Sequence, residues 1–242
     1  MRWLLLLVLG CASAPGVVSQ SAVDRGEPLW VVASLHSTRA ARVSLLDETG
    51  STVGTWSSEA PGRDGVHRFG GVSSRPSGGS LRLEIEDEVV RVPLGLRGDE
   101  RAIVIEHRGD VTAQLWVSSP DVRLASENEG LSITNHGRVA IGGLGLPAGW
   151  FQAMWLFAYD DGSVIPEPKP AGYCATGAIP VASLQPGETT NAGDSPWAMG
   201  VGERIATHVM VPFVASAPEI DTGVDAGVAW SVARLYVAEL IL

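Results

Sequence analysis

Residues 150–166, WFQAMWLFAYDDGSVIP, form the strongest core-forming run that follows the N-terminal segment. An extended backbone puts large apolar side chains on one face, at Phe151, Trp155, Phe157 and Tyr159. The other face carries Gln152, Met154, Leu156 and Ala158. Both faces are therefore nearly apolar, as in a central strand buried between two layers. Residues 160–162, Asp-Asp-Gly, tolerate turn angles, and residues 163–165 are expected to return as an antiparallel partner.

The composition predicts a globular protein made of many short elements. The chain has 242 residues, of which 45% are hydrophobic and 18% are charged, enough to bury a core in one or two domains. Its 29 glycines and 15 prolines follow no fixed period, which favours strands joined by turns over long helices.

The charge balance is acidic. The formal net charge is −10, and removal of residues 1–20 leaves 16 basic and 27 acidic residues, or −11. Such a surface repels phosphate backbones and anionic lipids, so nucleic acid is not an expected partner.

The N-terminus has the layout of a secretory signal. Arg2 precedes the apolar residues 3–9 and the small residues 10–14, and this apolar core is too short to span a bilayer. Residues 8–11, Val-Leu-Gly-Cys, resemble the lipobox of bacterial lipoproteins, which implies a lipid on Cys11. Ordinary cleavage between Ser19 and Ala22 is the alternative. Residues 1–20 are assigned to the signal peptide, and in both cases the protein is expected to be exported. The mature protein is expected in the periplasm, in the outer membrane or outside the cell, with membrane contact only through the lipid.

Cys174 has no cysteine partner in the mature chain, although thiols outside the cytoplasm tend to pair. No candidate base lies near it in the sequence, so we expect a small buried hydrophobic residue rather than a nucleophile.

Residues 21–119 are predicted to form a first β-sandwich domain. Apolar and β-branched runs are separated by turn residues at intervals of about 8–12 residues, which is typical of a sandwich. The predicted strands are 29–36, 41–47, 52–56, 66–72, 81–85, 89–94, 102–107 and 111–118.

Part of this domain resembles the transthyretin-like, carboxypeptidase-regulatory type of β-sandwich. The matching residues lie within 42–86: residues 43–47, VSLLD, with Gly50; Asp64-Gly65; residues 67–72, HRFGGV; and residues 80–85, SLRLEI. They correspond to that family's strand, Asp-Gly turn, aromatic strand and following strand. The resemblance implies a non-catalytic accessory or adhesive domain.

Residues 120–242 are predicted to form a second β-sandwich domain of Ig-like or transthyretin-like type, which makes the whole fold all-β. Pro120 and the polar residues 126–130 suggest the boundary. The predicted strands are 131–135, 138–141, the hairpin of 150–166, 179–184, 205–214 and 229–242. The last strand is ambiguous, because Ser231, Arg234 and Glu239 would also share one face of a helix. Trp230, Val232, Tyr236 and Val237 favour a strand.

Two segments, 166–177 and 185–203, contain too many glycines and prolines for helices and are predicted to be long loops. Long loops on a rigid sandwich are common binding sites. Trp197 and Tyr173 lie in these loops and are the candidate ligand-binding residues, since an exposed aromatic ring stacks on a sugar ring or anchors a partner.

The sequence offers weak signals for catalysis or cofactors. The five histidines are never within five residues of one another, so no local metal-ligand spacing is present and no metal or cofactor is expected. Residues 143–148, GLGLPA, have dinucleotide-fingerprint spacing but lack surrounding βαβ units. A serine hydrolase assembled from His208, Asp194 and Ser195 is the enzymatic alternative. Pro196 and Trp197 stand where trypsin-like proteases need glycines.

These observations predict an exported bacterial cell-envelope protein that acts as a non-enzymatic binding or structural module. Its expected partner is an envelope protein or glycan. The secreted hydrolase and an inhibitor-like, protein-binding module are the alternatives.

Overall fold

Alternating apolar and polar residues become strands throughout the part of the chain that the structure describes. The computed structural model describes residues 29–127, 130–144, 151–158, 164–166, 183–194 and 205–241, and every regular element within these ranges is a β-strand. The prediction of an all-β fold is confirmed. Leu81, Leu83 and Ile85 are buried along one strand while Arg82 between them is exposed, as a half-buried strand requires.

The first half of the chain contains the eight predicted strands, with ends that differ by at most two residues. They are β1 (Leu29–His36), β2 (Ala41–Leu46), β3 (Thr52–Ser58), β4 (Val66–Ser73), β5 (Ser80–Ile85), β6 (Glu88–Pro93), β7 (Glu100–His107) and β8 (Val111–Ser118).

Ten further strands fall within the described residues of the second half. They are β9 (Val122–Glu127), β10 (Gly130–Asn135), β11 (Ile141–Gly143), β12 (Met154–Ala158), β13 (Val164–Pro166), β14 (Ser183–Leu184), β15 (Thr189–Asp194), β16 (Ile205–Val214), β17 (Glu219–Asp225) and β18 (Val228–Ile241). The C-terminal segment is a strand and not a helix. β13 pairs antiparallel with β12, as predicted for the quoted hairpin, although its turn lies outside the described residues.

Three strands were not predicted. β15 lies inside segment 185–203, which was wrongly expected to be loop throughout. It forms an antiparallel ladder with β10, in which Thr189 pairs with Thr134. β9 occupies the polar stretch around the expected domain boundary and pairs with the other edge of β10. β17 continues the path of β16 and pairs with β18.

The strands form three sheets. One has the order β3-β2-β5-β6, a second has the order β15-β10-β9, and the largest follows the path β13-β12-β16-β18-β8-β7-β1-β4, with β11, β14 and β17 attached beside this path. Within the large sheet, β1 with β7 and β8 with β18 pair in parallel. The quoted hairpin therefore lies at one end of the path, not at its centre.

Each small sheet packs on the large sheet and encloses a core. The four-stranded sheet covers a first core, to which the large sheet contributes Leu35, Ile103 and Leu115. The second core includes Leu124 and Ile133 from the three-stranded sheet and Trp155 and Phe213 from the large sheet. The molecule therefore contains two β-sandwiches that share the large sheet.

A third core fills the opposite face of the large sheet. It consists of the buried residues Trp30, Val32, Ala102, Val104, Trp116, Leu156, Met210, Leu235 and Val237. The path of strands curves until β13 lies alongside β4, so these side chains point into a common interior. Trp155 belongs to the second core and Leu156 to the third, so β12 is buried on both faces at these two positions.

Two tryptophans lie flat over glycines in neighbouring strands. A Cβ on Gly71 would overlap the indole of Trp56, and a Cβ on Gly223 would overlap that of Trp230. Both tryptophans pack against the first core, so each glycine is required for the close approach of the ring.

A buried ion pair joins β7 to β18. Glu100 is 1% exposed, and its Oε1 lies 2.7 Å from Nη1 of Arg234. The same carboxylate accepts hydrogen bonds from the backbone N–H groups of Arg97 and Gly98, each at 2.9 Å. Burial raises the pKa of Glu100, but the Arg97 N–H and Arg234 lower it more, so its net pKa lies below the usual value.

We expect Arg234→Ala to destabilise the protein by about 3–5 kcal/mol, because Glu100 would be left buried without its counter-charge. Arg39→Ala is the matched control. Arg39 lies 2.6 Å from Asp87, but their side chains are 62% and 82% exposed, and such surface pairs contribute about 0–1 kcal/mol. The measurement is the free energy of unfolding from urea titrations at neutral pH. Equal losses in the two variants would contradict this account of the Glu100 site.

Candidate functional site

Polar side chains gather at one end of the interior of the large sheet. This inner polar cluster consists of Trp30, Arg101, Ser118, His208 and Glu239. Glu239 is its centre: its Oε1 accepts a hydrogen bond from Ser118 Oγ at 2.8 Å and lies 3.1 Å from Arg101 Nε. Its Oε2 lies 3.2 Å from His208 Nε2. A carboxylate only accepts hydrogen bonds, so the proton of this last bond is on His208 Nε2.

A register irregularity turns Arg101 toward the interior. The pairing of β7 with β8 shifts between Glu100 and Ala102, and such a bulge changes the face to which a side chain points. Arg101 meets Glu239 on the interior face, whereas Glu100 meets Arg234 on the opposite face of β18. His208 faces the interior without such a shift, because it lies two residues before Met210 of the third core and alternate residues of a strand share a face.

The electrostatics of the cluster favour an ionised Glu239. Burial raises the pKa of this carboxyl, but hydrogen bonds from His208 and Ser118, together with the charge of Arg101, lower it more, so the net pKa is below its ordinary value. Ser118 donates its proton to Glu239 and not to the imidazole. Activation of a serine needs a base that accepts its proton, and here the acceptor is a carboxylate that three groups already stabilise.

Trp30 closes the cluster on the side of β1. Its ring packs edge-on against His208, with ring centroids 5.5 Å apart and planes inclined by 67°. Within the described residues the Trp30 Nε1–H has no hydrogen-bond acceptor. An unbonded buried donor costs about 1–3 kcal/mol, so packing rather than hydrogen bonding holds this ring.

A cavity of about 350 Å³ opens beside β14 and β15. We call it the β14–β15 cavity; it is lined by Phe151, Ser183, Leu184, Glu188, Thr189 and Thr190. Its size is at the lower end of the range of about 300–1,000 Å³ that is typical of small-ligand sites. Phe151 and Leu184 are each only 5% exposed because their side chains belong to the second core. Most of the exposed lining is therefore supplied by the polar residues Ser183, Glu188 and Thr189.

Hydrogen bonds hold the side chains around this cavity in place, and some of their donors and acceptors are not used in these bonds. Glu188 Oε2 accepts from the Gln185 N–H at 2.7 Å, and Ser183 Oγ accepts from Gln185 Nε2 at 2.9 Å. The hydroxyls of Thr189 and Thr134 are 2.8 Å apart and bonded to each other. The rim therefore retains a second carboxylate oxygen, on Glu188, and the Ser183 hydroxyl proton.

Few of the residues selected from the sequence fall in the described chain. His208 lies in the inner polar cluster, bonded to Glu239, and Asp194 ends β15. Cys11, Tyr173, Cys174, Ser195 and Trp197 lie outside the described residues, so their predicted roles stay predictions. No sequence pattern indicated Arg101 or Ser118 as partners of Glu239, because Ser118 and Glu239 are 121 residues apart.

No protein-family model matches the chain, and comparisons with curated proteins and with solved structures find no match. Among the described residues, no group of three or more His, Cys, Asp or Glu side chains is placed to hold a metal ion. No helix in that part of the chain is long and apolar enough to cross a membrane.

The lowered pKa of Glu239 predicts a stability that depends on pH. A carboxyl with a lowered pKa in the folded state stabilises the fold fully above its unfolded pKa, and the contribution is lost as the pH falls through the folded value. We therefore expect Glu239→Gln to flatten the loss of stability below about pH 5. Urea midpoints measured between about pH 3 and pH 7 test this.

Glu88→Gln is the control, because Glu88 is an exposed carboxylate on β6. It is expected to leave the pH profile unchanged. A Glu239→Gln profile parallel to that of the unmodified protein would contradict the assigned role of Glu239.

Proposed function

We propose that this protein is an exported, non-enzymatic binding module of the bacterial cell envelope. The observation that carries the proposal is the β14–β15 cavity, a recess beside two apolar core residues with exposed polar side chains around it, on a β-sandwich. Binding sites typically combine these features, with a few polar groups that orient the ligand.

The position of the cavity along the chain supports a binding role. β14 directly follows residues 167–182, and β15 directly precedes residues 195–204. These are the segments from which the sequence selects Tyr173 and Trp197. Loops carried by a rigid scaffold are frequent binding elements.

The chemistry of the inner polar cluster supports a role other than catalysis. Both oxygens of Glu239 are used in bonds inside the fold, and Ser118, the one hydroxyl of the cluster, donates its proton to Glu239 and not to His208. Catalysis by a histidine needs a nitrogen within reach of the proton that it transfers. The cluster is instead suited to hold β7, β8, β16 and β18 together.

Export is tested by the intact mass of the protein from native membrane and soluble fractions. We expect a mass that matches either a chain beginning at a diacylated Cys11 or a chain cleaved between Pro15 and Ala22. Cys11→Ser is expected to move the protein from the membrane to the soluble fraction in the first case only. A mass that includes residues 1–10 would contradict export by this signal.

Binding is tested by retention of the purified mature protein on cell-wall sacculi and outer-membrane vesicles from the producing cells. We expect Ser183→Arg to abolish retention, because a long charged side chain at the exposed rim would fill the β14–β15 cavity. Thr222→Arg adds the same charge on the exposed strand β17 and should leave retention unchanged. Equal retention of both variants and the unmodified protein would show that the cavity is not the binding site.

A further inference from the structure

We propose that the free edge of β17 binds an extended polypeptide segment that carries basic residues on one face and apolar residues on the other. The bound segment adds a strand to the large sheet beside β17. This surface uses no residue of the β14–β15 cavity, so the inference goes beyond the proposed function. It follows from the backbone geometry, the exposed side chains and the charge of β17.

One edge of β17 is open in the part of the chain that the structure describes. The strand pairs with β18 and with no other described strand. The turn that joins β17 to β18 has two residues, Ala226 and Gly227, with φ of 51° and 85°. A two-residue turn of this kind makes the flanking pair, Asp225 and Val228, a hydrogen-bonded pair.

This turn decides which backbone groups point to the open edge. Hydrogen-bonded and non-hydrogen-bonded pairs alternate along an antiparallel ladder. Ile220, Thr222 and Val224 are therefore in non-hydrogen-bonded pairs with β18. Their backbone N–H and C=O groups point away from β18 and are available to a further strand.

The neighbouring edge strand β6 has the same geometry, but its edge is closed. Ile85 and Glu88 flank a two-residue turn, so the backbone groups of Arg91 point outward from β6. The Arg91 N–H donates to Asp225 Oδ2 at 2.6 Å, and Pro93, the next outward-facing residue, has no N–H. Prolines and bonds of this kind protect edges from other strands, and β17 contains no proline.

The side chains of β17 present a different surface on each face. Ile220 is 57% exposed and Val224 is 69% exposed, and these two side chains share one face because alternate residues of a strand do. Asp221 and Asp225 lie on the other face and are also exposed. A strand added beside β17 places its own side chains directly opposite these residues, on the same faces.

The charge of β17 selects the basic face of the partner. Residues 215–233 contain three acidic residues and no basic residue. Glu219 is paired with Arg97 at 3.0 Å, but no cationic side chain in the described chain is paired with Asp221 or Asp225. Lysine or arginine opposite these two carboxylates would supply the missing counter-charges, since opposite charges on facing strands attract.

The same charges disfavour a second copy of this chain as the occupant. If two copies of β17 paired antiparallel about Thr222, Glu219 of each copy would lie opposite Asp225 of the other. Like charges directly opposite one another destabilise a strand pair, and each chain carries a net charge of −10.

The test is calorimetric titration of the purified protein with the capped hexapeptide KVTTKV. In antiparallel pairing its two lysines lie opposite Asp225 and Asp221, and its two valines lie opposite Val224 and Ile220. We expect a Kd of about 1 mM or tighter. The matched peptide EVTTEV should bind at least about tenfold more weakly, because its glutamates would face the two aspartates.

Two N-methylated peptides test strand pairing directly. The N–H of the fourth residue, opposite Thr222, points to β17, whereas the N–H of the third residue points away. Methylation of the fourth nitrogen should weaken binding by about tenfold or more. Methylation of the third nitrogen is the control and should leave the Kd close to that of KVTTKV.

Thr222→Pro tests the same bond from the protein. It removes an N–H that the ladder with β18 does not use, so the urea midpoint should stay close to that of the unmodified protein while KVTTKV binding is lost. Thr222→Val keeps the N–H and should bind the peptide normally.

Three results would overturn the inference: KVTTKV does not bind, EVTTEV binds equally well, or the two N-methylated peptides bind alike. The last result would mean attraction by charge without strand pairing. A dimer in sedimentation that Thr222→Pro dissociates would also overturn it, because a second copy would then occupy the edge.

The two proposed sites fail separately. Ser183→Arg should bind KVTTKV as the unmodified protein does, whereas Thr222→Arg should lose the peptide and still be retained on envelope material. Loss of retention without loss of peptide binding therefore concerns only the β14–β15 cavity.

Discussion

The parallel ladder between β8 and β18 is the constraint on which the arrangement of the molecule depends. It runs from the pair Trp230 with Val111 to the pair Val237 with Ser118 and joins strands from the two halves of the chain. β18 contributes Val228 and Val232 to the first core, Ala238 to the second, and residues to the third. Each half has its own small sheet, but both small sheets pack on a large sheet that this ladder makes continuous.

Because of the bulge in β7, this strand forms ion pairs with β18 on both faces of the sheet. Without the shift between Glu100 and Ala102, strict alternation would point Arg101 away from Glu239. With it, Glu100 meets Arg234 on one face while Arg101 meets Glu239 on the other. Buried ion pairs add little net stability compared with apolar residues. Here the two ion pairs constrain the register of β18, because a shift of this strand by one residue would separate Arg234 from Glu100 and Glu239 from Arg101.

The sequence predicts strands in which apolar and polar residues alternate clearly. It misses strands that form only because a neighbouring strand offers them hydrogen-bond partners. Leu81, Leu83 and Ile85 identify β5 without further information. β15, with its sequence TTNAGD, has low strand propensity and exists because β10 offers it an edge. The inner polar cluster could not be predicted, since its members come from five strands and meet only when the sheet curves. The cavity combines Phe151 with residues 183–190. The sequence predicted strands over 150–166 and 179–184, but nothing in it indicated that these two stretches would meet.

The distance along the chain between β8 and β18 has a consequence for folding during synthesis. During synthesis β1 to β8 are made first. The edge of β8 stays unpaired until β18, more than a hundred residues later in the chain, can form hydrogen bonds with it. Contacts this distant in sequence form slowly, and an open edge invites pairing with other chains. A newly made chain would therefore benefit from protection of the β8 edge until β18 has paired with it, and this strand is the one that a chaperone would be expected to cover.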